Sequence, residues 1–170
     1  PFRLLVFDNH TDMQPPAFGG LLSCGGWAAE ALKALPFLQE LVLVGPDREA
    51  YEQTEEEIRN KVRFLSREDL QEMTEQEKKT FFEEISDNLP LYISVDKDVL
   101  RPGDAMTAWS QGDMSAEELE SYIRAVCRHQ SPAGMDVCGE CDAGEDGICN
   151  DRVNGMLLNV WKDWRDSHEK

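Results

Sequence analysis

Phe2-Arg3-Leu4-Leu5-Val6-Phe7 runs straight into Asp8-Asn9-His10-Thr11-Asp12, and Leu91-Tyr92-Ile93-Ser94-Val95 runs into Asp96-Lys97-Asp98. Each is an apolar run of strand length that ends in carboxylates, and the first adds an imidazole. In an open α/β sheet, ligands bind beyond the carboxyl ends of the strands. Two such ends side by side put four carboxylates and one imidazole in one cleft. So much negative charge in one place calls for a cation. Oxygen donors with a minority of imidazole suit a hard or borderline divalent metal such as manganese. The number of donors points to a binuclear site.

Spacing sharpens this reading. Asp8, His10 and Asp12 recur at every second residue, so an extended chain turns all three to one side. Asp96 and Asp98 share that spacing. The bland alternative is an Asp that caps a helix beside a satisfied core histidine. Two motifs of the same kind, each at a strand end, fit that alternative poorly.

Outward from these motifs, strand and helix signals alternate. A helix is expected over 26–35, a second buried strand at Leu41-Val42-Leu43-Val44, a polar helix over 49–60, and a short strand at Val62-Arg63-Phe64-Leu65. Ser66 and Thr74 read as helix N-caps, each with an acid three residues on. The second of these helices runs to about Ile85. After the strand at Tyr92–Val95 comes a long loop, 100–114, rich in Gly, Pro and Asp, and loops of that length are commonly functional. Ser115 opens a helix to about His129. A fifth strand is expected over 134–138 and a last helix over 154–164. This alternation predicts a three-layer αβα fold around a mainly parallel sheet. The chain reads as a single domain over 1–170. Pro1 leads into a strand with no preceding cap or turn, so upstream strands are expected to belong to the same fold.

Composition excludes several functions. The chain has 170 residues, with 34 Asp and Glu against 17 Lys and Arg, for a net charge of -17. Phosphate backbones need clustered cations, so nucleic acid is not an expected partner. No apolar run approaches the ~20 residues that span a bilayer, so no membrane is expected either. A small-molecule substrate fits the cleft, and a homo-oligomer is compatible with the sequence. The 5 cysteines, an odd number without a secretory signal, point to a reducing, cytoplasmic setting. Cys138, Cys141 and Cys149 form a rival metal set, but zinc normally takes four ligands. Cys127 or Cys24 would have to complete it, and the default reading is a thiol set near the cleft. Trp109, in the long loop, either stacks on a substrate or anchors the loop.

Here the residues reach a family. Asp8-Asn9-His10-Thr11-Asp12 resembles the Asp-Ala-His-x-Asp motif of the ureohydrolases, the superfamily of arginases and agmatinases with related deacetylases. Ser94-Val95-Asp96-Lys97-Asp98-Val99-Leu100-Arg101-Pro102 resembles their Ser-Phe-Asp-x-Asp-x-Leu-Asp-Pro. Thr107, Gly112 to Ser115 and Glu118 resemble that family's Gly-rich loop and following helix start. Gly134-Met135-Asp136-Val137 with Glu140 sits where the family has a strand that ends in a substrate-side glutamate. The resemblance implies an arginase/deacetylase-like fold and two divalent ions, manganese foremost. By it, Asp8 and Asp96 bridge the two ions, Asp12 completes one, and His10 with Asp98 serve the other. Asp12 or Asp98 would accept the proton of the attacking water, and Glu140 would bind a cationic group.

Departures narrow the expectation. The family's further histidine ligand has no counterpart here. Arg101 replaces the aspartate before the proline, and Glu140 is one residue off the expected spacing. The loop from Pro15 to Trp27 is small and apolar, without the shuttle histidine of arginases. The chain therefore reads as a metal-dependent hydrolase of a linear carbon–nitrogen bond, amidino or amide, but not an arginase. The alternative is a non-catalytic metal-binding or regulatory domain that keeps the fold.

Overall fold

The computed structural model describes residues 1–16, 20–85, 89–130, 132–141 and 147–168. Five strands form its sheet: β1 (Phe2–Phe7), β2 (Leu38–Val44), β3 (Val62–Leu65), β4 (Leu91–Asp96) and β5 (Pro132–Cys138). Their order is β3-β2-β1-β4-β5, and every pairing is parallel. Parallel neighbours need crossovers, and helices supply them.

The helices cover both faces, which gives three layers. On one face lie α1 (Trp27–Ala34), α2 (Arg48–Glu52) and α3 (Glu56–Arg59). On the other lie α4 (Arg67–Glu72), α5 (Glu75–Glu84), α6 (Ala116–His129) and α7 (Ile148–His168). Strand periodicity divides the core between them. Leu5 and Phe7 of β1 join Val42, Phe82, Leu119, Ile123 and Leu157. Leu4 and Val6 join Leu41, Leu43, Ala28 and Leu32. A side chain such as Phe7, wholly buried, contributes about 1.5–3 kcal/mol.

The caps form as the sequence predicts. Ser66, Thr74 and Ser115 each accept from the backbone three residues on, and Asp69, Glu77 and Glu118 reciprocate. Each box is worth about 1 kcal/mol. The polar segment 49–60 differs from expectation, for it breaks into the short helices α2 and α3. Thr54 Oγ1 donates to Tyr51 O at 2.7 Å, and Arg59 Nη1 donates to Glu52 O at 2.6 Å. Side chains thus take carbonyls that a continuing helix would need. The last helix starts earlier than expected, at Ile148. Asn150 in its first turn is held by the Met106 backbone, accepting from N at 2.9 Å and donating to O at 2.7 Å. No described helix is long and apolar enough to cross a membrane.

Candidate metal centre

β1 and β4 are direct neighbours, paired up to Phe7 and Val95. Their carboxyl ends therefore adjoin, and Asp8 and Asp96 follow at the same level. Two turns hold this edge. Gly45 has φ +119, and a Cβ there would meet Asp8 O at 2.4 Å. Gly139 has φ +81, and its Cβ would meet Asp96 Oδ1 at 2.3 Å. Only glycine allows the backbone so close.

Asp8, His10 and Asp98 each offer a ligand atom, all within 4.8 Å of one another. His10 Nδ1 lies 2.9 Å from Asp98 Oδ2 and 3.6 Å from Asp8 Oδ1. Asp8 also accepts from His10 N at 2.7 Å, and Asp98 from Asn9 N at 3.0 Å. Ions with bonds of about 2.0–2.2 Å to N and O fit such a set. Both carboxylates are almost wholly buried, at 3% and 1% exposure.

Asp12 and Asp96 line the same cleft with different partners. The chain does not stay extended past Asp8, as the every-second-residue reading assumed. It bends at Asn9 and His10, and Asp12 takes a left-handed φ of 50. The Asp12 carboxylate then accepts from Trp27 Nε1 at 2.6 Å, at the start of α1. Asp96 caps the 3-10 turn Lys97–Val99, accepting from Asp98 N at 3.0 Å, with Cys138 Sγ at 3.3 Å from its other oxygen.

Glu140 sits elsewhere. Its carboxylate receives the ammonium of Lys97 and amide donors from Asn150 and Asn154, each at 3.1 Å. It is not among the described residues that line the cleft. Glu140 is thus tied to the buried Lys97 ammonium rather than turned into the cleft.

Burial and crowding set the electrostatics. Asp8 is pushed up to about 7, chiefly by burial, with Asp12 and Asp98 adding to it against the His10 hydrogen bond. Asp12 is pushed up to about 6 by burial, opposed by the Trp27 hydrogen bond. Burial also raises Asp96. His10 is raised to about 10 by its hydrogen bonds to Asp8 and Asp98. A divalent cation bound here would displace the protons that these raised values favour, and the donor set fits such an ion.

The cleft holds about 310 Å³, and its lining also includes Gln14, Cys24, Asp47, Trp109 and Ser110. Its charged groups are all aspartates apart from His10, among the described residues. The Trp109 ring is 60% exposed and meets His10 edge-on at 6.4 Å. Ser110 Oγ lies 2.9 Å from His10 Nε2. The sequence singled out neither Ser110 nor Asp47, although the length of the 100–114 loop marked the region. Of the apolar loop after the first motif, residues 17–19 lie outside the described residues, as do 142–146 within the cysteine segment. All five cysteines are free. Cys141 and Cys149 meet Asn150 at 3.8 and 3.9 Å, and the described residues form no thiol cluster with metal-ligand spacing.

Comparison with known proteins agrees with this fold. The family model described as "Arginase family" matches residues 1–141. An uncharacterized protein of Thermotoga maritima is 34% identical over 142 residues, which is 84% of this chain and 49% of the relative. The chain thus spans about half the length of the curated relative that it matches. A hypothetical agmatinase from Burkholderia thailandensis superposes with a TM-score of 0.77 at 21% identity, covering 98% of this chain and 53% of that one. A Trypanosoma cruzi formiminoglutamase with Mn2+ gives a TM-score of 0.74 at 16% identity, covering 94% and 55%.

Proposed function

The chain belongs to the arginase family, and from that premise we propose that it serves a divalent-metal-dependent hydrolysis of a linear carbon–nitrogen bond, amidino or amide. The observation that carries this reading is the convergence of Asp8, His10 and Asp98 within 4.8 Å at adjoining strand ends. Asp8 and Asp96 would bridge two ions, Asp12 would complete one, and His10 with Asp98 the other. Manganese suits these donors and is present in the Trypanosoma cruzi neighbour. When bound, the ions supply Lewis acidity and lower the pKa of water.

The remaining work falls to this chain's own side chains. Asp12 is positioned by Trp27, and Asp98 by Asn9 N. Either carboxylate can take a proton from the attacking water. Trp109 offers an exposed face at the cleft mouth for the substrate's body. Glu140, tied to Lys97, takes no part in contact with substrate in this reading. Among the described residues that line the cleft there are acids and an indole but no lysine or arginine to meet a carboxylate. The substrate is therefore a small amidino or amide compound other than arginine. Nucleic acid does not suit a chain of net charge -17.

The test is twofold. Metal content per chain is measured after loading with manganese. Urea, ammonia or amine release is then followed from arginine, agmatine and a panel of acylated amines. Turnover of an amidine or amide without arginine turnover is expected. Robust arginine turnover overturns the substrate assignment. A fully loaded protein that is silent across the panel returns the chain to the role of a metal-binding module.

A further inference from the structure

Ser110 lies exposed on the long loop between β4 and α6, with its hydroxyl 2.9 Å from His10 Nε2. The other ring nitrogen, Nδ1, faces Asp98 and Asp8. An imidazole that offers the Nδ1 lone pair to a cation must keep its proton on Nε2, and the partner of that second nitrogen fixes the tautomer. Ser110 Oγ sits where it can accept that proton.

Ser110 is itself held in place. Asn9 Nδ2 donates to Ser110 O at 2.8 Å and reaches its Oγ at 3.4 Å. The direction of the Asn9 amide follows from Arg67, whose guanidinium can only donate and which bonds to Asn9 Oδ1. The amide NH2 must then face Ser110. The Asn9 backbone N–H meanwhile holds Asp98 Oδ1 at 3.0 Å. One residue thus braces a carboxylate of the cluster and, through Ser110, the ring that faces it. The bland reading is that Ser110 merely closes a loop. That reading explains the bond to its carbonyl but not a hydroxyl directed at the imidazole.

We propose that Ser110 is a positioning residue, which holds His10 with Nδ1 turned to the cation and Nε2 protonated. The inference rests on the metal reading of the site given above. Its test is calorimetric titration of manganese into wild type, Ser110→Ala and Ser110→Thr, with the melting of each chelated protein as control. Partners of ligating histidines typically change metal affinity by 10–100-fold. The contact is exposed, so about tenfold weaker binding is expected for Ser110→Ala. Ser110→Thr keeps the hydroxyl and should bind like wild type, and all three chelated proteins should melt alike. Equal affinity of Ser110→Ala and wild type overturns the proposal. So does a threonine variant as weak as the alanine one, which would assign the loss to packing. A wild type that takes up no metal overturns the metal reading itself and this inference with it. The two failures are therefore distinguishable.

Discussion

Lys97, flanked in sequence by two cleft carboxylates, gives its wholly buried ammonium to Glu140, whose side chain is 57% exposed. The pair is asymmetric, and so are the costs of breaking it. Glu140→Gln leaves a buried charge without its counter-ion, which typically costs about 3–5 kcal/mol. Lys97→Met removes the buried charge itself, and Glu140 keeps Asn150 and Asn154. That change should cost about 1 kcal/mol or less, since apolar replacement of buried ions is often neutral. Urea denaturation of both variants checks the order, and a costlier Lys97→Met would refute it.

The metal-free fold should weaken as pH rises. Asp8 and Asp12, raised from 3.8 to about 7 and about 6, favour the folded state while protonated. Their contribution is full below pH 3.8 and is lost as pH climbs through those folded values. The His10 contribution is full below 6.5 and is lost as pH rises towards about 10. Manganese must displace these protons. Its upward shift of the melting temperature should therefore grow from pH 5 to pH 8. At a hundredfold excess over Kd the stabilisation is about 2.7 kcal/mol, or roughly 5–10 °C for a chain of this size. A shift that stays flat or shrinks over that window contradicts the assignment.

Asp96→Asn should empty both metal positions, whereas Asp98→Asn should empty one. Metal analysis per chain distinguishes the two, and equal content in both variants would argue against the bridging role of Asp96. Gly139→Ala is an independent probe. Its Cβ would fall 2.3 Å from Asp96 Oδ1 at a φ that only glycine adopts readily. It should lower metal content as Asp96→Asn does, while leaving Asp8 and His10 untouched.

Trp109→Ala should raise KM for the preferred substrate and leave the melting temperature unchanged, because the ring is 60% exposed. Trp109→Phe should keep most of the affinity, as a smaller aromatic face remains. An unaltered KM in the alanine variant would return the indole to a purely surface role.

The sheet was readable because its signals are local. Val62 to Leu65 is a strand by its own side chains, and Ser115 with Glu118 caps α6 within four residues of chain. The break between α2 and α3 depends on Thr54 and Arg59 reaching back to carbonyls, which periodicity does not register. The grouping of Asp8, His10 and Asp98 follows from two strands that pair side by side, and their terminal motifs were visible in the sequence. The bend that turns Asp12 towards Trp27 was not visible, because left-handed backbone at an aspartate has no pattern signature. Nor was the attachment of Glu140. Its partner Lys97 lies 43 residues away and reads, on its own, as a surface lysine. Ser110 carries no signal at all until the loop is folded over His10.

Strand β1 sends alternate side chains into both layers of the core, and Asp8 N at its end is bonded to Val44 O at 3.1 Å. Releasing Asp8 would require both layers to part, an opening close to global unfolding. Trp109 and Ser110 lie at the exposed tip of a loop held by hydrogen bonds from Asn9 and Asn150, which can break without parting either core layer. Amide hydrogen exchange should therefore be slowest around Asp8 and orders of magnitude faster at Trp109. The cleft thus joins a jaw fixed by both core layers to one held only by surface hydrogen bonds, so any adjustment to a bound molecule would fall to the loop, while the carboxylates at the end of β1 keep their place.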